Sequence, residues 1–196
     1  MPKIVNHEER KEVIAKATWK VIAREGMKGA TVRSIAKEAG LSLGAVRYYF
    51  HTQDELLVFA MELVEQRVTE RVQQHLKEQA PIKEQIVHIF LELLPISSEH
   101  LIEMQVWLEY VSYKVRNQQV TEDSILKFIN MMMNYLQDEG LLKREIHIQD
   151  EVDHLHAFLD GLALHVLLGT IPMDQVRLRT LIEREINRII KEEFDS

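Results

Sequence analysis

The chain has no cysteine among its 196 residues. Disulfides, thiolate metal sites and a cysteine nucleophile are therefore excluded. Glycine and proline are scarce, seven and four, whereas Leu, Ile, Glu, Lys, Gln and Val abound. That balance predicts an all-α fold with short connections. Long apolar runs are missing too. The least polar stretch, Gly161–Ile171, falls far short of the roughly 20 residues that span a bilayer. The opening MPKIVNHEERKEV is charged and lacks an apolar segment, so no export signal is expected and the cytoplasm is the expected location. No phosphate-binding glycine loop, HExxH motif or nucleophile elbow occurs, so neither catalysis nor a cofactor is expected.

What is present is ordinary in total and uneven in placement. Hydrophobic residues make up 46% and charged residues 28%, a globular composition with enough apolar material for a sizeable core. Residues 1–50 hold ten Lys and Arg against five acids, a net of +5, so the other 146 residues carry −12 of the total −7. A basic head on an acidic body is the asymmetry of a nucleic-acid reader attached to something else.

Hydrophobic periodicity and end signals predict nine helices. The first spans His7–Glu25, with Val13, Ile14, Ala17, Val21 and Ile22 inward and Gly26 as its stop. Thr31 caps Val32–Ala39, which Gly40 ends, and Ser42 caps Leu43–Tyr49. Thr52-Gln-Asp-Glu55 reads as a capping box opening a helix to about Gln79, with a stripe through Leu57, Ala60, Met61, Val64, Val68, Val72 and Leu76. Five more are expected near Ile82–Leu94, Glu99–Arg116, Thr121–Glu139, Gln149–Leu168 and Asp174–Glu192. The eighth is apolar almost all round from Leu162 to Leu168, so something must cover both of its faces.

Two short helices joined through Gly40-Leu41-Ser42 match a helix-turn-helix. The second is too short to stabilise itself and offers a core little, but its size suits a DNA major groove. Gly44 and Ala45 lack bulk, which suits close approach to DNA or, for Gly44, tight packing on the preceding helix. Arg47 is expected to reach a guanine edge or a phosphate, the alternative being a solvated surface arginine. Tyr48 and Tyr49 offer hydroxyls and rings, one of them alternatively a core residue. Thr31, Ser42 and Thr52 are caps whose hydroxyls also suit phosphate. Arg33, Leu43 and His51 complete the set of expected DNA contacts.

The stretch TVRSIAKEAGLSLGAVRYYFHTQDELL, residues 31–57, preceded by REGMKGA, resembles the TetR/AcrR-type transcriptional repressors. Family members share Thr-hydrophobic-x-x-Ile-Ala-x-x-Ala-Gly, then Ser-x-Gly, Tyr-Phe and an acidic-Leu helix start. Leu43, Arg47, His51 and Gln53 depart from the commoner residues, and phosphate anchoring falls to Arg47 and Tyr49. The resemblance implies a DNA-binding head over 1–52 and a ligand-binding and dimerisation body over 53–196, with helix 53–79 connecting them. It also implies homodimerisation through the last two helices. Leu155, Phe158, Leu159, Leu162 and Val166 on one, and Leu178, Leu181, Ile182, Ile186 and Ile189 on the other, have suitable spacing; the alternative is that both stripes face the chain's own core. Such a dimer reads a palindromic double-stranded operator and responds to a small-molecule effector.

An effector pocket is expected around Met104, Trp107, Tyr110, Phe128, Met131, Met132, Tyr135 and Phe158, adaptable methionines among aromatics, although plain core fits the same spacing. A metal-responsive variant would use His147, Asp150, His154 and His156. Glu151-Val-Asp-His154 is a single Glu-x-x-His motif, where helical-bundle metalloenzymes use two. His165 in its apolar helix is expected to be a hydrogen-bonded core or interface histidine.

Overall fold

The structure, a computed structural model, describes residues 7–77, 79–119, 123–143 and 145–191, without the side chains of 27 and 28. Among these residues nine α-helices and no strand form: α1 His7–Gly29, α2 Val32–Glu38, α3 Leu43–Tyr49, α4 Gln53–His75, α5 Ile82–Glu92, α6 Ser98–Arg116, α7 Ser124–Asp138, α8 Ile148–Leu167 and α9 Gln175–Ile189. The all-α expectation holds. The expected start of α7 at Thr121 and end of α9 at Glu192 lie outside the described residues. Helix α4 stops four residues before Gln79, because Leu76 lies 53% exposed and has no core to join. Gly26, at φ +68, breaks α1 where a stop was expected.

Caps set the boundaries. Asp123 accepts from the Ile125 and Leu126 amides at the start of α7, and Asp174 from Val176 and Arg177 at the start of α9. Each satisfies amides that the helix itself leaves unpaired.

The chain divides into two compact units, Met1–Arg67 with Leu101–Val120, and Val68–His100 with Thr121–Ser196. The cut by compactness thus differs from a head ending at residue 52: the first part of α4 and most of α6 join the head. In this first unit Ile14, Ala15, Val21, Ile35, Val46, Leu56, Leu57 and Ala60 are buried. Trp19, 5% exposed, donates its Nε1–H to the Ala60 carbonyl at 3.1 Å, which ties α1 to α4. The Arg67 guanidinium lies 4.8 Å from the Trp19 ring centroid and 3.5 Å from the buried Glu103 carboxylate of α6. One cation so serves a ring and a buried carboxylate at once. Val13 is not inward as expected but 45% exposed. With each residue turning the helix by about 100°, Ala15 takes the inner place instead.

In the second unit α5 packs on α9 and α7 on α8, around Ile86, Ile89, Phe90, Ile129, Met133, Leu136, Val152, Leu155 and Ile182. Glu92 gathers Arg71 at 2.7 Å, His75 at 3.3 Å and His100 at 3.5 Å. Leu142 and Ile190 form an isolated antiparallel bridge, closed by Lys143 N–H to Ile189 O at 3.0 Å and Lys191 N–H to Leu141 O at 2.9 Å.

Burial bears on the stripes expected at a partner. Leu155, Leu159, Leu162, Val166, Leu178, Ile182, Ile186 and Ile189 are all at most 5% exposed within the single chain. These eight fit the alternative that both stripes face the chain's own core. Phe158 and Leu181 alone of the ten are half-buried. Along α8 and its end Ala157, Gly161, Leu164 and Leu168 form an outward stripe, half-buried or exposed and spaced about one turn apart. Leu159→Ala is accordingly expected to lower the unfolding free energy by about 2–5 kcal/mol, read by urea denaturation at fixed protein concentration. A change below about 0.5 kcal/mol contradicts its place in the core.

Candidate nucleic-acid interface

The head is assembled from its caps outward. Thr31 Oγ1 accepts the Ser34 amide at 3.1 Å, and Ser34 Oγ accepts the Thr31 amide at 3.0 Å, a reciprocal capping box on α2. At the other end of α2 Gly40 sits at φ +65 while Leu41 N–H reaches Ala36 O at 2.9 Å and Gly40 N–H reaches Lys37 O. This left-handed stop needs glycine and turns the chain toward α3. Ser42 Oγ then accepts the Ala45 amide at 3.1 Å and opens α3.

Only Val46 of α3 is buried, and Phe50 at its end is 5% exposed. Every other residue of α3 keeps some exposure: Gly44, Arg47 and Tyr48 are exposed, Leu43, Ala45 and Tyr49 half-buried. Thr31, Arg33, Ser42, His51 and Thr52 are exposed around it. The structure thus brings all eleven expected contacts to the outside of one short motif. A Cβ built on Gly44 meets nothing within 4 Å, so packing against α2 does not require this glycine.

The start of α4 follows a variant of the expected box. Thr52 Oγ1 accepts the Glu55 amide at 3.1 Å, but Glu55 returns its carboxylate to the His51 amide, at 2.8 Å, one residue earlier than in the usual box. That amide bond is the main reason the Glu55 carboxyl sits below its ordinary pKa.

One contact was not legible in the sequence. His7 Nδ1 lies 2.8 Å from the Tyr49 hydroxyl, across 42 positions of chain. Its ring centroid is 6.1 Å from that of Tyr48 and 5.6 Å from that of Tyr49, and the two tyrosines meet edge-on at 5.1 Å. Beside Tyr49 opens a cleft of about 500 Å³, lined by Lys11, Phe50, Thr52, Phe59, Glu62 and Tyr113 among others. Lys11 places its ammonium 5.9 Å from the Phe59 centroid.

The other candidate residues scatter more. Met104, Trp107 and Tyr110 stand half-buried on α6 in the first unit. Phe128 and Phe158 are half-buried and Met132 is 7% exposed in the second unit, where Met131 and Tyr135 face outward at 69% and 51% exposed. The possible metal ligands disperse into separate pairs: His147 with Asp150 at 3.3 Å, His154 with Glu185 at 3.2 Å, and His156 with Asp123 at 3.3 Å. Among the described residues no group of three metal-binding side chains that could hold an ion occurs, so nothing in the structure supports the metal-responsive grouping. Asp160, 3.7 Å from His156, has its carboxyl pushed up by burial. His165 is exposed rather than core, its Nδ1 2.8 Å from the Thr170 hydroxyl.

Residues 14–58 match the family model of bacterial regulatory proteins of the tetR family. Residues 82–191 match that of the BetI-type transcriptional repressor C-terminal region. The chain is 40% identical over 196 residues to the HTH-type transcriptional regulator PksA of Bacillus subtilis (strain 168), across 98% of this chain and 96% of that one. It belongs to the TetR family of transcriptional regulators. The HTH-type transcriptional regulator BetI of Escherichia coli (strain K12) is 26% identical, across 96% of this chain and 97% of its own. Solved structures agree on the fold. A transcriptional regulator from Rhodococcus sp. Rha1 superposes with a TM-score of 0.75 at 24% identity, covering 91% of this chain and 95% of that one. A regulator from Saccharomonospora viridis, solved in complex with choline, gives 0.76 at 22% identity, covering 95% and 100%.

This TetR-family chain is a helix-turn-helix transcriptional regulator and not an enzyme. No helix among the described residues is long and apolar enough to cross a membrane. Arg47→Ala is expected to weaken operator binding by about 1–3 kcal/mol and to leave the melting temperature in place, because the side chain is exposed. Unchanged binding in an equilibrium titration removes Arg47 from the contact.

Proposed function

We propose that the chain is a cytoplasmic, ligand-responsive repressor that binds a palindromic operator as a homodimer and leaves it when a small molecule binds. The carrying observation is α3, which buries Val46 alone and turns Arg47, Tyr48 and the glycine face of Gly44 outward. A helix of this kind is stabilised by its neighbours and reserved for another surface. Residues 1–52 serve as the reading head in this view. Thr31, Arg33, Ser42, Leu43, Ala45, Tyr49, His51 and Thr52 complete its contacts to phosphates and base edges.

Repression follows the BetI-type match over residues 82–191. A response to small molecules is supported by two neighbours of the same fold. One was solved with choline, and the other was solved for the molecular basis of control of antibiotic production by bacterial hormones. The effector's seat is assigned to the half-buried and buried methionines and aromatics of the body, Met132, Phe128 and Phe158 foremost. Helix α4 runs unbroken from Gln53 to His75 and belongs to both compact units, so it is one covalent route between effector and head. By linkage an effector that disfavours the DNA-bound state lowers operator affinity, and DNA equally lowers effector affinity, typically by about 5- to 150-fold.

The dimer is assigned to the outward stripe of α8, with Ala157, Gly161, Leu164 and Leu168 flanked by Phe158 and Leu181. This stripe answers why α8 is apolar on two sides: one side meets the chain's core and the other a second copy. Gly161 gives a clean test, since an added Cβ there meets nothing within 4 Å. Gly161→Arg is expected to keep the monomer's fold, to sediment as a monomer and to bind operator poorly. An intact dimer by sedimentation refutes this interface. The function itself is tested by selecting duplexes from a random pool at about 150 mM salt. An enriched palindrome is expected, and no enrichment by a folded dimer refutes sequence-specific reading.

A further inference from the structure

The Tyr49 hydroxyl has a single proton and two claimants. One is His7 Nδ1 at 2.8 Å; the other, if Tyr49 faces DNA as proposed above, is a phosphate oxygen. A phosphate oxygen accepts and never donates, so Tyr49 bonds it only when its own proton is free. We propose that His7 is a further operator-binding and positioning residue, and that its protonation hands the Tyr49 proton to the DNA backbone. This inference rests on the reading of α3 as the DNA-facing helix.

The chemistry follows from the imidazole. With the ring neutral and Nδ1 as acceptor, the Tyr49 O–H points at His7 and presents only lone pairs to DNA. With the ring protonated, Nδ1–H donates to the Tyr49 oxygen, and the hydroxyl proton turns outward to a phosphate. The same step brings a positive charge to the phosphate surface. Both changes favour DNA, so proton uptake and operator binding strengthen each other by linkage. The dimer carries the pair twice.

Geometry supports more than a chance contact. His7 opens α1 and Tyr49 closes α3, so their bond joins the ends of two helices on the exposed side of the head. The rings of His7, Tyr48 and Tyr49 form one cluster with centroids 5.1 to 6.1 Å apart. The ionisable groups nearby are Tyr48 and Tyr49 of α3, Lys11, Asp54, Glu55, Glu62 and Tyr113 of the cleft beside Tyr49, and Glu8 and Arg10 next along its own helix. Lys11 is paired with Glu8 at 3.3 Å. Glu55 is committed to the His51 amide. The sequence holds nine histidines, and a histidine elsewhere can give a pH effect of its own, so the comparison must be between variants.

Operator affinity is measured by fluorescence anisotropy at pH 6 and pH 8, each across 50 to 200 mM salt, on the full chain with its selected duplex. Wild type is expected to bind at least about fivefold more tightly at pH 6. Its log–log salt slope should be steeper there by up to about 0.9 per phosphate gained, so about 2 for the dimer. His7→Phe keeps the ring contacts and removes the bond, and is expected to lose most of the pH response. His7→Arg carries a permanent charge and is expected to bind at pH 8 about as tightly as wild type at pH 6. Circular dichroism confirms that both fold. An equal pH response in wild type and His7→Phe overturns the proposal, as does a His7→Arg variant no tighter than His7→Phe at pH 8. Tyr49→Phe separates the two readings. If it binds like wild type at both pH values, Tyr49 makes no DNA contact and the α3 contact assignment fails together with this proposal. If it weakens binding while His7→Phe keeps the wild-type pH response, the contact stands and the role of His7 alone is refuted.

Discussion

Two helices of seven residues cannot hold themselves in water, so the head of this protein depends on how α2 and α3 are pinned from behind. Ile35, Ala36 and Val46 are at most 4% exposed, and Phe50 closes the motif at 5%. Gly40 at φ +65 fixes the turn between the helices, and Ser42 and Thr31 fix where each begins. With the apolar contacts on one side and the caps at the ends, no outward side chain of α3 is needed for the fold. That freedom lets Arg47, Tyr48 and Gly44 be chosen for a partner.

The back of the motif is braced by a second set of contacts. Trp19 hangs from the Ala60 carbonyl, and Arg67 sits between the Trp19 ring and the carboxylate of Glu103. Glu103 is 4% exposed, and a buried carboxylate without a nearby cation would be costly. So α1, α4 and α6 meet around one charge pair and one indole. The charge asymmetry of the sequence takes on meaning here. Among the described residues Arg33, Lys37 and Arg47 lie exposed on α2 and α3, whose apolar sides are used in packing, so positive charge stands on the outside of the motif.

Much of this was legible in advance because caps and glycines act locally. Thr31, Ser42, Gly26 and Gly40 each do at their own position what their residue type does in general, and the nine helices follow. Faces were less legible, because periodicity finds a stripe without saying what covers it. Leu159 and Ile186 carry the same spacing whether they meet a second copy or α7 and α5. On α8, apolar on two sides, the alternation that would choose is missing. The pairs formed by His7 with Tyr49 and by Arg188 with Glu151, 42 and 37 residues apart, leave no local trace at all. The histidines of the 147–156 stretch illustrate the opposite hazard: they are close in sequence but find carboxylates on different elements, and so do not share a site.

The small clasp between Leu142 and Ile190 has a consequence for assembly. Its two backbone bonds, Lys143 to Ile189 and Lys191 to Leu141, join the end of α9 to the turn that precedes α8. The α8–α9 hairpin is therefore closed into a ring by the backbone, and neither helix can slip along the other without opening it. If the proposed stripe of Ala157, Gly161, Leu164 and Leu168 is the dimer surface, it is set in shape before a second chain arrives. Association through it would then spend little ordering entropy on its own surface, which is how preorganisation lets a modest apolar patch serve as an interface.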